Sequence, residues 1–463
     1  MSEMAYTPVT DTRSLLRKVI VIAIPIMLQT LLFSSKGLID VMMVGQVNEY
    51  SVAALGIATK ILFVATIIIS GVCSAGGILI AQYWGAKKTE QVRQTTILSL
   101  LITVLVSVII LSVFVLYPEK LSQLATTDLS IRDLSRSYIA IVGFALPLMA
   151  YTAVMMSALR SIEQPKLSLI FSTIGICCNI ILNAIFIFGL AFIPALGIKG
   201  AALATVISCL LEVILIQSYL FIRSHPLVFS FQDYKNAITK SKIQQFIGLS
   251  LPTTLNFLLW SGGLLAYHAI MGRVSNEGVT ALAVISPIET ISLSLLVGVA
   301  NASAVIIGNQ LGAKQYDNVY HNAKILVIFA ITLMVCVASM LYLFREPLLS
   351  IFTTLSVETH ATSMSFMTVL CVGIVLRSLP TTLVVGVLRA GGDVKFCLYQ
   401  DLCTQWLFGI PLTAFAAFVL NWSIEFIYAC FFLETLFKWF ACIYRLQSYK
   451  WIKISVYEQD LSY

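Results

Sequence analysis

Apolar runs of twenty or more residues recur along the chain, separated by short segments in which Gly, Pro and charged side chains collect. An α-helix rises 1.5 Å per residue, so about 20 apolar residues cross the hydrocarbon core of a bilayer. The pattern predicts twelve such helices, at about 16–42, 52–81, 94–117, 137–158, 167–190, 200–222, 245–271, 279–310, 322–344, 362–388, 396–418 and 424–445. Several are longer than the bilayer requires, which leaves length for tilt or for extension past it. The fold class read from this is an all-α polytopic membrane protein.

Composition strengthens the reading. Hydrophobic residues make up 59% and charged residues 11% of the chain, where a soluble domain carries about 25% charged residues. The net charge of +7 then acquires a different meaning. With both termini in the cytoplasm, nineteen Lys and Arg fall in inside segments and six in outside segments, with Lys36, Lys60, Arg377 and Lys438 within spans. That asymmetry orients a membrane protein and gives no reason to expect a nucleic-acid partner. Met1 to Thr12 are polar, with Glu3 and Asp11, and carry no cleavable signal. The ten cysteines form no CxxC pair, so neither a zinc site nor a disulfide framework is expected. HExxH, GxSxG and Gly-rich phosphate loops are absent from the sequence, which argues against an enzyme and against a bound cofactor.

The chain also repeats itself. At a shift of 227, Pro25 meets Pro252, Val52-Ala53-Ala54-Leu55 meets Val279-Thr280-Ala281-Leu282, and Gly85-Ala86-Lys87 meets Gly312-Ala313-Lys314. At a shift of 229, Leu159-Arg160 meets Leu388-Arg389. Six spans are therefore repeated in the same orientation. This gives an N-lobe at 1–222, a cytoplasmic linker at 223–244 and a C-lobe at 245–463. Parallel repeats of this kind are a transporter architecture, with substrate and ion sites near the bilayer midplane.

Within that frame the run IPIMLQTLLFSSKGLIDVMMVG, from Ile24 to Gly45, stands out because it carries Lys36 and Asp40. Ionisable residues inside spans are costly and mark functional sites. Asp40 reads as a coupling group that takes up a proton or metal ion from one side and releases it when hydration changes. The alternative is a structural acid neutralised by Lys36, one helical turn away. Lys36 itself is open to several readings: a counter-charge that leaves when Asp40 is protonated, a side chain snorkelling to the interface, or a substrate contact. Asn179 and Asn183 lie four apart on one face of the fifth span. In the second half, Glu289 and Arg377 read as an interhelical ion pair or as substrate contacts. Phe257 and Trp260, one turn apart, present rings on which a flat cation stacks. His268, beside Tyr267, is a further substrate-contact candidate, with a packing histidine as the alternative. Pro25, Pro252, Pro287 and Pro380 fall within spans, and Pro25 is the candidate hinge, since a bend there moves Asp40 relative to the fifth span.

The motifs LIDVMMVG, SVAALGIA, AQYWGAKK with GNQLGAKQ, ALRSIEQPK with VLRAGGDVK, and NIILNAIFIFG followed by GIKGAALAT resemble the multidrug and toxic-compound extrusion (MATE) family across nearly the whole chain. The resemblance implies twelve helices in two six-helix lobes forming a V. It further implies a monomeric antiporter of the bacterial inner membrane that exports organic, mainly cationic, compounds in exchange for protons or sodium ions. It places Asn179, Asn183, Thr205 and Tyr138 near Asp40, as a hydrogen-bond cage for the carboxyl group or as oxygen ligands for sodium. One carboxylate among neutral amides suffices for a proton, whereas sodium needs a fuller oxygen set, so protons are favoured. Branches of the family carry further acids where this chain has Trp260, Ser378 and Asn183, which leaves Asp40 the remaining family acid. The alternatives are a lipid-linked glycan flippase of a related branch and an exporter of other metabolites. The single lysine near the coupling acid and the count of twelve spans weigh against the flippase.

Overall fold

A computed structural model describes residues 12–123, 125–126, 128–190, 194–350 and 356–453. The spanning helices are α1 (Thr12–Gly45), α2 (Glu49–Gly85), α3 (Thr89–Leu116), α4 (Leu129–Val142 continued by Ala145–Ser161), α5 (Pro165–Phe188) and α6 (Ile198–Ile222). The second six are α7 (Lys240–Val274), α8 (Asn276–Gly312), α9 (Tyr316–Leu343), α10 (Val357–Leu388), α11 (394–418) and α12 (Ile424–Gln447). Among the described residues nine of these are unbroken, long and apolar enough to cross a membrane, and α4 makes a tenth. α7, with 35 residues, and α11 complete the expected twelve.

The departures from regular helix have local causes. α4 bends by 50° at Gly143-Phe144. Pro147 has no N–H to offer the Gly143 carbonyl, so the ladder breaks there. π-helical turns occupy Thr382–Leu388, immediately after Pro380 and Thr381, and Leu402–Gly409, immediately after Asp401. Pro25, Pro252 and Pro287, by contrast, sit inside unbroken helices. Large apolar side chains such as Phe221, Ile222 and Val372 are exposed, as a bilayer-facing surface requires.

The internal repeat is written into the backbone. Asn48 caps α2 by accepting from the Ser51 N–H, and Ser275, 227 residues later, caps α8 by accepting from the Gly278 N–H. α2 and α8 both end in a turn that places a lysine in the left-handed region, Lys87 at φ 57° and Lys314 at φ 58°.

By contacts the described chain forms two units whose borders lie inside helices. The N-terminal unit is Leu28–Thr254; the C-terminal unit is the described chain up to Met27 together with that from Leu255 onward. The first half of α1 thus packs with the second repeat, Leu15, Val19, Ile22 and Ile26 joining the core formed by α8 to α12. The first half of α7 packs with the first repeat: Thr254 lies against Gly71, and Phe246 lies near Gly76. The lobes read from sequence, with their border in the linker, differ from these units by the two half-helices.

The polar segment between α6 and α7 is folded onto α3. Ser230 and Asp233 form a reciprocal cap for the short helix Phe231–Ala237, and Arg93 of α3 donates to Asp233 at 2.9 Å. Burial works against the Asp233 charge, but the Ser230 N–H and hydroxyl and the Arg93 guanidinium outweigh it and hold the carboxyl below its ordinary range. The stability this group contributes is therefore complete above about pH 4 and is lost as the pH falls through the lowered value. Asp233→Ala is expected to destabilise this segment by about 1 kcal/mol. Limited proteolysis at neutral pH should show faster cleavage within 230–237, and the wild type should gain the same sensitivity only in acid.

Candidate functional site

The N-terminal unit assembles the expected cluster from α1, α4, α5 and α6. Asp40 is in the last two turns of α1, and its side chain is 14% exposed. Lys36, one turn earlier, donates to Asp40 Oδ2 at 2.8 Å, so Lys36 pairs with the acid and does not reach for the interface. From α5, Asn183 Nδ2 donates to Asp40 Oδ1 at 2.6 Å and also to Asn179 Oδ1 at 3.3 Å. Both partners are acceptors, which fixes the orientation of the Asn183 amide. Asn179 Nδ2 in turn donates to the hydroxyls of Thr205 (3.5 Å) and Ser208 (3.3 Å) on α6. Tyr138 of α4 is buried beside them, close enough to feel the Asp40 charge. One oxygen is left over: Asn183 Oδ1 is fully buried and has no partner among the described residues. A buried, unsatisfied acceptor costs about 1–3 kcal/mol.

The C-terminal unit is organised differently. Glu289 of α8 and Arg377 of α10 form an ion pair at 2.5 Å, and the Arg377 guanidinium also lies over the Phe432 ring. Phe257 lies under the Arg389 guanidinium. The Trp260 ring is exposed, and His268, also exposed, is bonded through Nδ1 to the Leu264 carbonyl. These residues do not converge on one point as the Asp40 group does.

A second polar centre is one that sequence reasoning missed. Lys438 on α12 is held between Asp401 on α11 (2.9 Å) and Glu434 one turn earlier (3.0 Å), with all three side chains 8–9% exposed. Tyr267, the repeat-mate of Asp40, donates to the other Glu434 oxygen at 2.5 Å and stacks on Phe431. Asn256 donates to the other Asp401 oxygen at 2.7 Å and accepts from Arg389. Gly409, in the π-helical stretch of α11, makes the room: a Cβ there would stand 2.3 Å from the Tyr267 hydroxyl. The signal that could have found this centre is the same one that singled out helix 1, an acid and a lysine four apart in an apolar run.

The two centres differ in how finished they are. Every carboxylate oxygen of Glu434 and Asp401 has a partner. Asp40 is partly open, and its amide neighbour keeps an unused oxygen. Among the described residues no three His, Cys, Asp or Glu side chains come together as a metal site.

Known proteins resemble the chain in sequence and in fold. The MatE family model matches residues 25–185 and 252–415, each match starting at the repeated proline. The chain is 23% identical over 411 residues to the Bacillus cereus "Probable multidrug resistance protein NorM", covering 88% of this chain and 89% of that one. Its fold matches the crystal structure of the Vibrio cholerae MATE transporter VcmN with a TM-score of 0.86 at 21% identity, over 95% of this chain and 97% of that one. A MOP superfamily transporter from Pyrococcus furiosus matches with a TM-score of 0.85 at 17% identity, over 96% and 100% of the two chains. The chain is a multi-pass membrane transporter and belongs to the MatE family.

Proposed function

We infer that this transporter is an antiporter, exporting lipophilic organic cations in exchange for protons, and that Asp40 is the coupling group. The substrate class is supported by the multidrug resistance role in the name of the Bacillus relative. Orientation with both termini in the cytoplasm is supported by the bias of Lys and Arg toward one side.

The observation that carries the coupling assignment is the unpartnered Asn183 Oδ1 beside a partly open carboxylate. With Asp40 ionised, its two oxygens accept from Lys36 and Asn183, and one buried amide oxygen goes unused. A protonated Asp40 has an O–H to donate, and turning the Asn183 amide offers it that oxygen. Protonation thus removes an unsatisfied acceptor and releases Lys36 from its partner. An uncovered ammonium repels a cationic substrate, so proton uptake and substrate release are tied together through one ion pair. Pro25 is the proposed hinge, supported by the border between units falling two residues after it, and at the matching place after Pro252.

Sodium is the second reading, since Asn183 Oδ1 would also serve as a metal ligand. Two facts weigh against it: Lys36 already occupies Asp40 Oδ2, and Asn179 Oδ1 already accepts a hydrogen bond. The test is purified protein in liposomes loaded with a fluorescent organic cation and a pH dye. Substrate efflux against an imposed pH gradient, with matching proton movement in sodium-free buffer, is the expected result. A strict requirement for sodium, with no proton movement, would overturn it.

A further inference from the structure

Glu212 has no role in the account so far. It is 9% exposed, sits in the middle of α6, and has no hydrogen-bond or ion-pair partner among the described residues. Its carboxyl lies against Gly175 of α5, where a Cβ would stand 3.0 Å from it and a larger residue would push the acid aside.

The acid lies on a polar seam that runs the length of the N-terminal unit. On α5, Ser168, Ser172, Gly175, Asn179 and Asn183 are spaced four, three, four and four apart, which puts them on one face. On α6, Thr205, Ser208 and Glu212 share the facing stripe by the same rule. At the Pro165 end, Gln29 donates to Ser172 at 2.6 Å and accepts from Ser168 at 3.1 Å and from Arg160 at 3.3 Å. In the middle Asn179 bonds Thr205 and Ser208, and at the far end Asn183 bonds Asp40. From Asn183 to Gly175 the helix rises about 12 Å. Polar side chains in an otherwise apolar bundle are costly, and a continuous line of them marks an ion or proton pathway.

We propose that Glu212 is a second proton-binding group of the transporter, receiving the proton that Asp40 releases and handing it on toward the Pro165 end of the seam. This rests on the reading of Asp40 as a proton-coupling site and of the Pro165 end as cytoplasmic. In the step, the Asp40 O–H bond breaks and the proton crosses through the Ser208 and Thr205 hydroxyls and entering water. It then bonds to a Glu212 oxygen, while Asp40 regains its charge and its pairing with Lys36. The groups that face Glu212 suit an acid that alternates between forms. From α5, Gly175 lies against the carboxyl. The Tyr151 hydroxyl of α4 is committed to Gln217 of α6. Cys209, one turn away on α6, feels the charges of both Glu212 and Lys36, so the two ends of the relay act on one neighbourhood. Among the described residues no Lys or Arg lies within ion-pair distance to hold Glu212 permanently ionised.

The test compares Glu212→Gln, Glu212→Asp and Asp40→Asn in liposomes. Glu212→Gln should lower efflux driven by a pH gradient at least ten-fold while sparing exchange of labelled for unlabelled substrate, which needs no net proton movement. Glu212→Asp should recover most of the loss. Wild-type gradient-driven efflux in Glu212→Gln, with Asp40→Asn inactive, would overturn the relay alone. Wild-type efflux in Asp40→Asn would instead overturn the parent reading. If Glu212→Gln does not fold, treatment of the wild type with dicyclohexylcarbodiimide decides, because this reagent captures protonated carboxyls in apolar surroundings. Mass spectrometry should find the adduct on Glu212, and an unmodified Glu212 beside a modified Asp40 would reject the proposal.

Discussion

Asp40→Asn should reduce gradient-driven efflux of a fluorescent cation to the level of protein-free liposomes while leaving expression and monodispersity near wild type. The side chains are isosteric, so packing is unchanged, and the asparagine oxygen still accepts from Asn183 or Lys36. What disappears is the only group in the cluster that changes charge on binding a proton. The Lys36 charge then stays unneutralised in every state, and the electrostatic difference between loaded and empty forms vanishes. A ligand with equal affinity for both states shifts nothing, however tightly it binds. Transport retained in this variant would remove the central assignment.

The second large effect concerns stability. Lys438→Met should cost about 3–5 kcal/mol, because it leaves Asp401 and Glu434 as buried acids without a cation between them. That is a large share of a typical folding free energy. The expected result is a melting temperature lower by roughly 10 °C and a sharp loss of monodisperse protein. Adding Asp401→Asn and Glu434→Gln to the same variant should recover most of it, since burying neutral amides is less costly than burying unpaired charges. A Lys438→Met protein as stable as wild type would show that the network carries little energy.

Much of this was legible in the chain because the bilayer is a strict solvent. Runs long enough to span it, Lys and Arg gathered between them, and an acid with a lysine inside helix 1 all follow from the cost of burying polar groups in hydrocarbon. The 227-residue repeat was readable from prolines and turn residues, and the paired caps at Asn48 and Ser275 show that it extends to backbone detail. The cluster of Asp40, Asn179, Asn183, Thr205 and Tyr138 was reachable only with the help of family resemblance, since spacing places residues on a face but does not say which faces meet. Three things lay beyond that reach. The Glu434–Lys438–Asp401 centre needs α11 and α12 side by side, and its acid on α11 is 33 positions away in sequence. The closeness of Glu212 to Gly175 is a matter of helix packing, visible only once α5 and α6 are placed. The π-helical stretches depend on which side chains the surrounding helices accept, and no local pattern announces them.

The exchange of half-helices also has a consequence for biosynthesis. Residues 12–27 are made before the rest of the described chain, yet the core they join is made by the second half of α7 and by α8 to α12, more than 200 residues later. Contacts so distant along the chain are slow to form. The opening segment must therefore wait in the membrane as an unpartnered helix while the N-terminal unit assembles around Leu28–Thr254. A fragment ending in the polar linker would contain that waiting segment without its destination, and would lack the 240–254 segment that the N-terminal unit borrows. The two repeats, though duplicated in sequence, cannot be cut apart at the linker and mature separately; the N-terminal unit is whole only once the first half of α7 is made, and residues 12–27 find their partners only with the second repeat.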